Sequence, residues 1–446
     1  MESNPIQQRA EEFELKYLEL SYTQTFTFLV FRTALDDWEM IETFYDYMVA
    51  MDNEIEDVVF VFKSPLLQVN TYSKALVEEL FMSIFLWNYA DKPKEIEANY
   101  IPWTMDLTAS STSNVAELFV SNINAFCESV EFEEDSHCVC VLDYQSKDAK
   151  YILHWLKELT KLELHPRIRL VLSDTFERPV FNELKNYAPK STQILSHHFG
   201  LAQAIKEVAA MGDPEAPDTK YRYHLVQLYE AIDKKQDKAI DKHATKCLAI
   251  AEHNKNENAY WQVQKVMVYC ALATSEFGKK QFKKAIHYID QGILILQEIV
   301  GLLPEELLEN LAGQTHLFRG SLLMMVKKSK RAIEDFKRGE AYYAHRQDHL
   351  MQVEAFRLLA IAADKEGDKK LKHEALNQGI RLGVNLNESL AQASTYRLLI
   401  KEVLDSRYTD YISDTELDTI IRPLLGEQWR IKTKSVKSIM VNKKLK

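Results

Sequence analysis

Val58-Val59-Phe60-Val61-Phe62, running into Lys63-Ser64-Pro65-Leu66-Leu67-Gln68-Val69-Asn70-Thr71-Tyr72-Ser73-Lys74, sets the class of the first half of the chain. Five consecutive β-branched or aromatic residues ahead of a polar loop read as a buried strand, and the amphipathic segment Ser73–Tyr89 beyond the loop reads as a helix. The same alternation extends outward on both sides. Strands are expected at Phe26–Phe31, Val58–Phe62, Tyr100–Leu107, Cys138–Tyr144, Ile168–Asp174 and Gln193–His197. Helices are expected between them at Trp38–Met51, Ser73–Tyr89, Val115–Val130, Ala149–Leu162 and Arg178–Tyr187. Strands separated by helices are joined by crossovers rather than hairpins, so the sheet should be mainly parallel with helices on both faces. Residues 1–25, with Phe13, Tyr17, Leu18 and Leu20, read as an N-terminal helix or arm packed on that sheet.

What this half lacks is equally informative. The first 199 residues contain no glycine, and all 12 glycines of the 446-residue chain lie between Gly200 and Gly426. Average usage would place about fourteen in that stretch. A loop that cradles phosphates needs glycine, because only a residue without a side chain lets backbone N–H groups close around the oxygens. No working phosphate loop, and no cofactor, is expected here.

The α/β pattern, residues 26–210, ends where Gly212-Asp213-Pro214-Glu215-Ala216-Pro217-Asp218 marks a linker at 211–220. From 221 to 425 every block reads as a helix of the length found in helical hairpins. A glycine recurs late in three of these helices, in Ala285–Gly292, Ala332–Gly339 and Lys372–Gly379, at spacings of 47 and 40 residues. Periods of this size mean stacked hairpins, each unable to bury its apolar face alone. Residues 426–446 form a basic tail with seven Lys or Arg and no acid from Arg430 onward.

The helical half resembles tetratricopeptide repeats. Gly320, Ala332 and Phe336 stand at the separations of that family's small, alanine and aromatic positions, and Ala273, Ala285 and Ile289 match with one substitution. Its period is longer than the family's, glycine replaces alanine, and the closing proline is missing. The α/β half resembles, more distantly, the signal-transduction ATPase domains of the STAND branch of AAA-type P-loop proteins. Val58–Phe62 and its loop stand where that family has its phosphate loop. Val139-Cys140-Val141-Leu142-Asp143 resembles a Walker B strand, and Arg169–Asp174 a sensor strand. The resemblance implies a nucleotide site whose residues here are degenerate. Lys63-Ser64-Pro65 stands in place of glycines, Ser73-Lys74-Ala75 reverses lysine and hydroxyl, and Tyr144 follows Asp143 where a second acid would activate water.

Other side-chain groups have plainer readings. His137-Cys138-Val139-Cys140 carries metal-ligand types, but strand alternation turns His137 away from Cys138 and no second cluster completes a site, so no metal is expected. His197-His198 ends the last strand without a nucleophile at useful spacing. The five cysteines are odd in number and set in apolar surroundings, which suits free thiols in a reducing compartment. No apolar run approaches the length of a membrane span. A net charge of −11 argues against general nucleic-acid binding.

The sequence therefore leads to an α/β plus all-α protein, a degenerate P-loop-like sheet domain followed by a tetratricopeptide-like solenoid, acting in the cytoplasm as a non-catalytic adaptor for protein partners. Neither a nucleic-acid nor a membrane partner is expected. Candidate partner contacts are Met324, Met325, Tyr342 and Tyr343 on the repeats and Arg430, Lys432, Lys434 and Lys437 on the tail. Two other readings stay open: a nucleotide-binding STAND-type switch, and a chaperone-like loader for a toxin, secretion or contractile-injection assembly.

Overall fold

The computed structural model describes residues 4–50, 53–89, 100–108, 114–144, 148–406, 412–427 and 429–434. The chain divides into two compact units, Met1–Val208 and Ala209–Lys446.

The first unit runs α1 (Pro5–Thr23), β1 (Phe28–Thr33), α2 (Trp38–Met48), β2 (Val58–Phe62), α3 (Val69–Tyr89), α4 (Glu117–Ser129), β3 (Cys138–Leu142), α5 (Ala149–Leu159), β4 (Ile168–Thr175), the single turn α6 (Leu184–Tyr187) and β5 (Thr192–Ser196). Helix α7 (Leu201–Ala210) spans the division. The strands form one sheet in the order β2-β3-β4-β1-β5 with every pairing parallel. Side-chain alternation divides the core between the faces. Phe28, Val30, Cys138, Cys140, Leu170 and Leu172 pack under α3 to α6, while Leu29, Phe31, Val139, Val141 and Val171 pack under α1 and α2. Strands β3 and β4 are buried along their whole length, which is why they read as unbroken apolar runs. Phe13 and Tyr17 of α1 lie edge-on to Phe31 and Phe44, so the N-terminal helix is part of this core.

Two expectations are corrected. Tyr100–Leu107 is not a strand but an extended loop fastened by side chains. Asn88 exchanges two 2.9 Å hydrogen bonds with the backbone of Ile101, and the Trp103 indole N–H donates to the Asn122 carbonyl at 3.1 Å. Its bulky residues plug the α3–α4 side instead of pairing, and Pro102 has no N–H to offer a ladder. Arg178–Tyr187 contains only a 3-10 turn and one helical turn, because Pro179 interrupts its start.

The second unit is helical: α8 (Pro217–Asp233), α9 (Asp237–Asn254), α10 (Tyr260–Gly278), α11 (Phe282–Glu298), α12 (Glu305–Met325), α13 (Ser329–His345), α14 (His349–Glu366), α15 (Lys369–Arg381), α16 (Glu388–Ala393), α17 (Tyr396–Asp405), α18 (Asp414–Leu425) and α19 (Trp429–Lys434). Four hairpins, α8/α9 to α14/α15, close with the same turn. One residue adopts a left-handed backbone, at Lys235 (φ 54°), Lys280 (φ 61°), Lys327 (φ 60°) and Gly367 (φ 76°). The next N–H then reaches back to the preceding helix, Gln236 to Ala231, Gln281 to Glu276, Lys328 to Leu323 and Asp368 to Ala363, at 2.8–2.9 Å. This arrangement satisfies carbonyls that a helix end otherwise leaves orphaned.

Within α12/α13 the packing is antiparallel and uses glycine as a socket. Tyr343 lies over Gly313, Leu317 against Gly339, and Phe336 over Gly320, so the partner retreats along α13 as the contact advances along α12. A Cβ at Gly320 would sit 2.5 Å from the Phe336 ring, and one at Gly339 2.8 Å from Leu317. Beside these contacts Arg319 clamps Asp335 through two bonds of 2.6 and 2.9 Å and reaches Asp290 at 2.7 Å, while His316 Nδ1 lies 2.8 Å from Asp335. Burial alone would raise the Asp335 carboxyl, but the bonds to His316 and Arg319 outweigh it and hold it below the ordinary range.

Candidate functional site

In an open parallel sheet, ligands bind beyond the carboxyl ends of the strands, where neighbouring crossovers leave in opposite directions. Here that switch lies between β1, whose chain moves on to β2 at one edge, and β4, whose chain moves on to β5 at the other. The loop read from sequence as the phosphate loop follows β2, which is an edge strand. The structure separates its residues. Lys63 is exposed, 3.7 Å from Asp46. Ser73 is buried, donating to the Val115 carbonyl at 2.6 Å and accepting from the Trp155 indole at 2.9 Å. Lys74, one residue on, turns outward to lie 3.6 Å from Glu78.

Carboxylates of the chain itself occupy the amide groups at this end of the sheet. Glu79 accepts from Lys63 N at 2.7 Å, Ser64 N at 3.0 Å and Ser64 Oγ at 2.6 Å. Asp37, buried in the loop after β1, accepts from Gly200 N at 3.0 Å and Leu201 N at 2.8 Å at the start of α7. Asp174, at the end of β4, takes Arg32 of β1 in a two-pronged bond of 2.7 and 2.9 Å and accepts from Phe181 N at 3.0 Å. Backbone amides at this end of the sheet are thus satisfied by side-chain oxygens of the chain itself.

A cleft of about 710 Å³ remains beside them. Trp38 and Tyr45 of α2 line it with Pro65, Leu66 and Leu67 after β2, Leu142, Asp143 and Tyr144 at the end of β3, Asp148 and Tyr151 at the start of α5, and Ser173 of β4. Tyr45 and Ser173 hydrogen-bond through their hydroxyls. Asp143 is half-buried. Burial raises its carboxyl above the ordinary range, Lys63 opposes the rise, and Glu42, Asp46 and Glu79 add to it. Burial also pushes the Tyr144 phenol up to about 12. Of these residues the sequence singles out Asp143 and Tyr144, the loop residues Pro65, Leu66 and Leu67, and the strands that carry Leu142 and Ser173. Trp38, Tyr45 and Tyr151 sit in helices whose apolar spacing reads as core, and no local pattern marks Asp37 or Glu79 as an amide cap reached from a distant segment.

On the helical unit, Met325 is exposed, Met324 and Tyr342 are half-buried against core clusters, and Tyr343 is fully buried over Gly313. The exposed large side chains on α8 and α10 are Tyr223, Tyr229, Tyr260, Met267 and Phe277, none of which the sequence singled out. In the tail, α19 is anchored by buried Trp429, whose indole N–H donates to Asp418 at 2.9 Å. Arg430 lies over the Trp429 ring and pairs with Asp414 at 3.0 Å and Asp418 at 3.4 Å. Lys432 and Lys434 fall on this helix with side chains outside the described parts, and Lys437 lies outside the described residues.

Cys127, Cys138, Cys140 and Cys247 are buried free thiols and Cys270 is a partly buried one. Glu305, Glu309 and His345 are the one trio of donor side chains among the described residues close enough to share an ion, and His345 is already paired with Glu309 at 2.9 Å. No helix among the described residues is long and apolar enough to cross a membrane.

No family model and no curated protein matches the chain. Two solved structures, of Drosophila ORC bound to GC-rich DNA and Cdc6 and of Drosophila ORC bound to DNA, align over 93% and 97% of this chain and 73% and 78% of theirs. Identities are 11% and 9%, with TM-scores of 0.31 and 0.30. The two neighbours are described as bound to DNA, and the sequence-based exclusion of nucleic acid, drawn from net charge, is withdrawn on a physical ground. Net charge averages over the surface and cannot exclude a local contact. At these TM-scores the likeness carries no argument for DNA binding either.

Proposed function

We propose that the chain is a non-catalytic adaptor, in which a degenerate AAA-like α/β unit accompanies a helical-repeat unit that receives a protein partner. The observation that carries the first part is that the chain's own acids cap this end of the sheet, Asp37 and Asp174 beside the β1/β4 switch and Glu79 beside the edge strand β2. The Glu79 carboxylate satisfies both backbone amides and the hydroxyl at the head of the loop after β2, and neither that loop nor the one after β1 contains a glycine. A phosphate entering the loop after β2 would have to displace a carboxylate held by three bonds. The second part is supported by the hairpin stack, whose α8 and α10 expose tyrosine, methionine and phenylalanine, residue types enriched in protein interfaces.

The test has two arms. Millimolar ATP or GTP with magnesium should leave the melting temperature unchanged and release no phosphate above blank, since stabilisation follows occupancy; a shift of several degrees overturns the degenerate-site reading. A partner recovered by cross-linking from the native host should lose at least tenfold in affinity with Tyr260→Ala and Met267→Ala combined. Unchanged affinity removes α10 from the receptor surface.

A further inference from the structure

The cleft at the strand ends is built for a ligand of a different charge from a nucleotide. It is lined by four aromatic residues, Trp38, Tyr45, Tyr144 and Tyr151, and by two acids, Asp143 and Asp148. Asp143 N donates to the Phe62 carbonyl at 3.0 Å, but no described residue donates a hydrogen bond to its carboxylate. Among the described charged groups, Lys63 acts on it most strongly and favours its ionised form, while Glu42, Asp46 and Glu79 act in the opposite sense. Lys63 is mostly exposed and also lies 3.7 Å from Asp46, so it is shared between two acids and free to be displaced by a ligand cation. A half-buried carboxylate to which no described residue donates, beside four aromatic side chains and further acids, is satisfied by an organic cation. Aromatic faces attract the cation through their quadrupoles and the acid supplies the counter-charge.

We propose that this cleft binds an alkyl-ammonium or guanidinium group, its cationic head on Asp143 and its carbon body against Trp38, Tyr151 and Leu67. The inference rests on the reading that this end of the sheet holds no nucleotide. It deepens that reading by naming what replaces the phosphate ligand. Leu67 and Tyr151, both exposed at the rim, leave the cleft open to a ligand that is either free in solution or carried on a partner's side chain.

The experiment is calorimetric titration of the full chain with phenethylammonium and with butylguanidinium, using phenethyl alcohol as the neutral isostere of the first. The ammonium should bind at least tenfold more tightly than the alcohol. Asp143→Asn keeps the shape of the side chain and removes its charge. It should abolish that preference while leaving the melting temperature at neutral pH unchanged or higher, so a loss of binding is not a loss of fold. Trp38→Phe should weaken both cations by several-fold. To separate the two sources, a capped peptide with one central lysine is compared with free butylammonium. Tenfold tighter binding of the peptide assigns the site to a partner side chain, and equal or weaker binding assigns it to a small amine. The proposal is overturned if the alcohol binds as tightly as the ammonium, if Asp143→Asn binds undiminished, or if neither cation binds at millimolar concentration. A nucleotide-dependent melting shift would instead overturn the underlying reading, and it is scored in separate samples.

Discussion

The carboxyl end of the sheet and the α12/α13 hairpin solve opposite problems with opposite uses of one residue type. The loops after β1 and β2 are made without glycine, and backbone amides at this end of the sheet are closed off by Asp37, Glu79 and Asp174 reaching in from other segments. The hairpin is made with glycine, and Gly313, Gly320 and Gly339 let Tyr343, Phe336 and Leu317 press against the opposing helix. In the first region the glycine-free loop after β2 has its amides capped by an acid, which on the proposed reading leaves no place for a phosphate. In the second the same residue creates a packing site. Glycine is therefore informative here by its neighbours, a loop of amides in one case and an aromatic ring in the other.

The sharpest way to break this comparison is through the polar part of the hairpin. Asp335→Ala leaves His316 and Arg319 without their shared partner inside the unit, and should cost about 3–5 kcal/mol by urea denaturation. A loss below 1 kcal/mol would mean that Asp290 holds Arg319 unaided. Next in size is the socket itself. Gly320→Ala drives a methyl into the Phe336 ring and should cost about 1–3 kcal/mol, whereas Gly292→Ala, whose new methyl would meet only Val266 at 3.6 Å, should be neutral or slightly stabilising. Equal effects would make the glycine register accidental.

On the sheet side, Glu79→Ala should cost about 1–2 kcal/mol because two amides lose their acceptor, with Glu79→Gln recovering about half. If the alanine variant also gains a nucleotide-dependent melting shift, Glu79 is what excludes phosphate. The smallest effect concerns His224 of α8 and His243 of α9, whose Nδ1 atoms lie 3.1 Å apart. Burial lowers both below the ordinary histidine value; in addition His243, Lys246 and Lys242 act on His224, and Lys242 on His243. Their contribution is complete above about pH 6.5 and is lost as pH falls through the depressed folded values. Partly exposed as they are, the pair should weaken the hairpin by under about 1 kcal/mol. Hydrogen exchange in α8 and α9, corrected for intrinsic rate, should rise between pH 7 and 5, and His243→Gln should flatten that dependence.

The fold was largely legible because its signals are periodic. Buried β3 and β4 must be continuously apolar, and each repeat must place a small residue where helices cross. The strand misread at Tyr100–Leu107 has the right composition but is tied down by Asn88 and Asn122, contacts that no local pattern encodes. The repeating turn was invisible for a related reason. Lysine at Lys235, Lys280 and Lys327 adopts a backbone that glycine would advertise, and only Gly367 does so. At the site, the sequence indicated what chemistry was absent from the loop after β2. It could not show which acids had taken over, since Asp37 and Glu79 act on amides 163 and 16 residues away.

The central position of β1 has a consequence for how the chain comes to be folded. Phe28 aligns with Leu170 on one side and Thr192 on the other, so the first strand to be synthesised is the one whose two neighbours arrive last. The hairpins of the second unit close over a few residues and form as soon as their second helix exists. Strand β1 instead has both edges unpaired while some 140 further residues are made, a period in which its apolar run Phe28-Leu29-Val30-Phe31 is open to pairing with another chain. Helix α1, which precedes β1 and lays Phe13 and Tyr17 on Phe31, is available throughout that wait to cover one face of the strand.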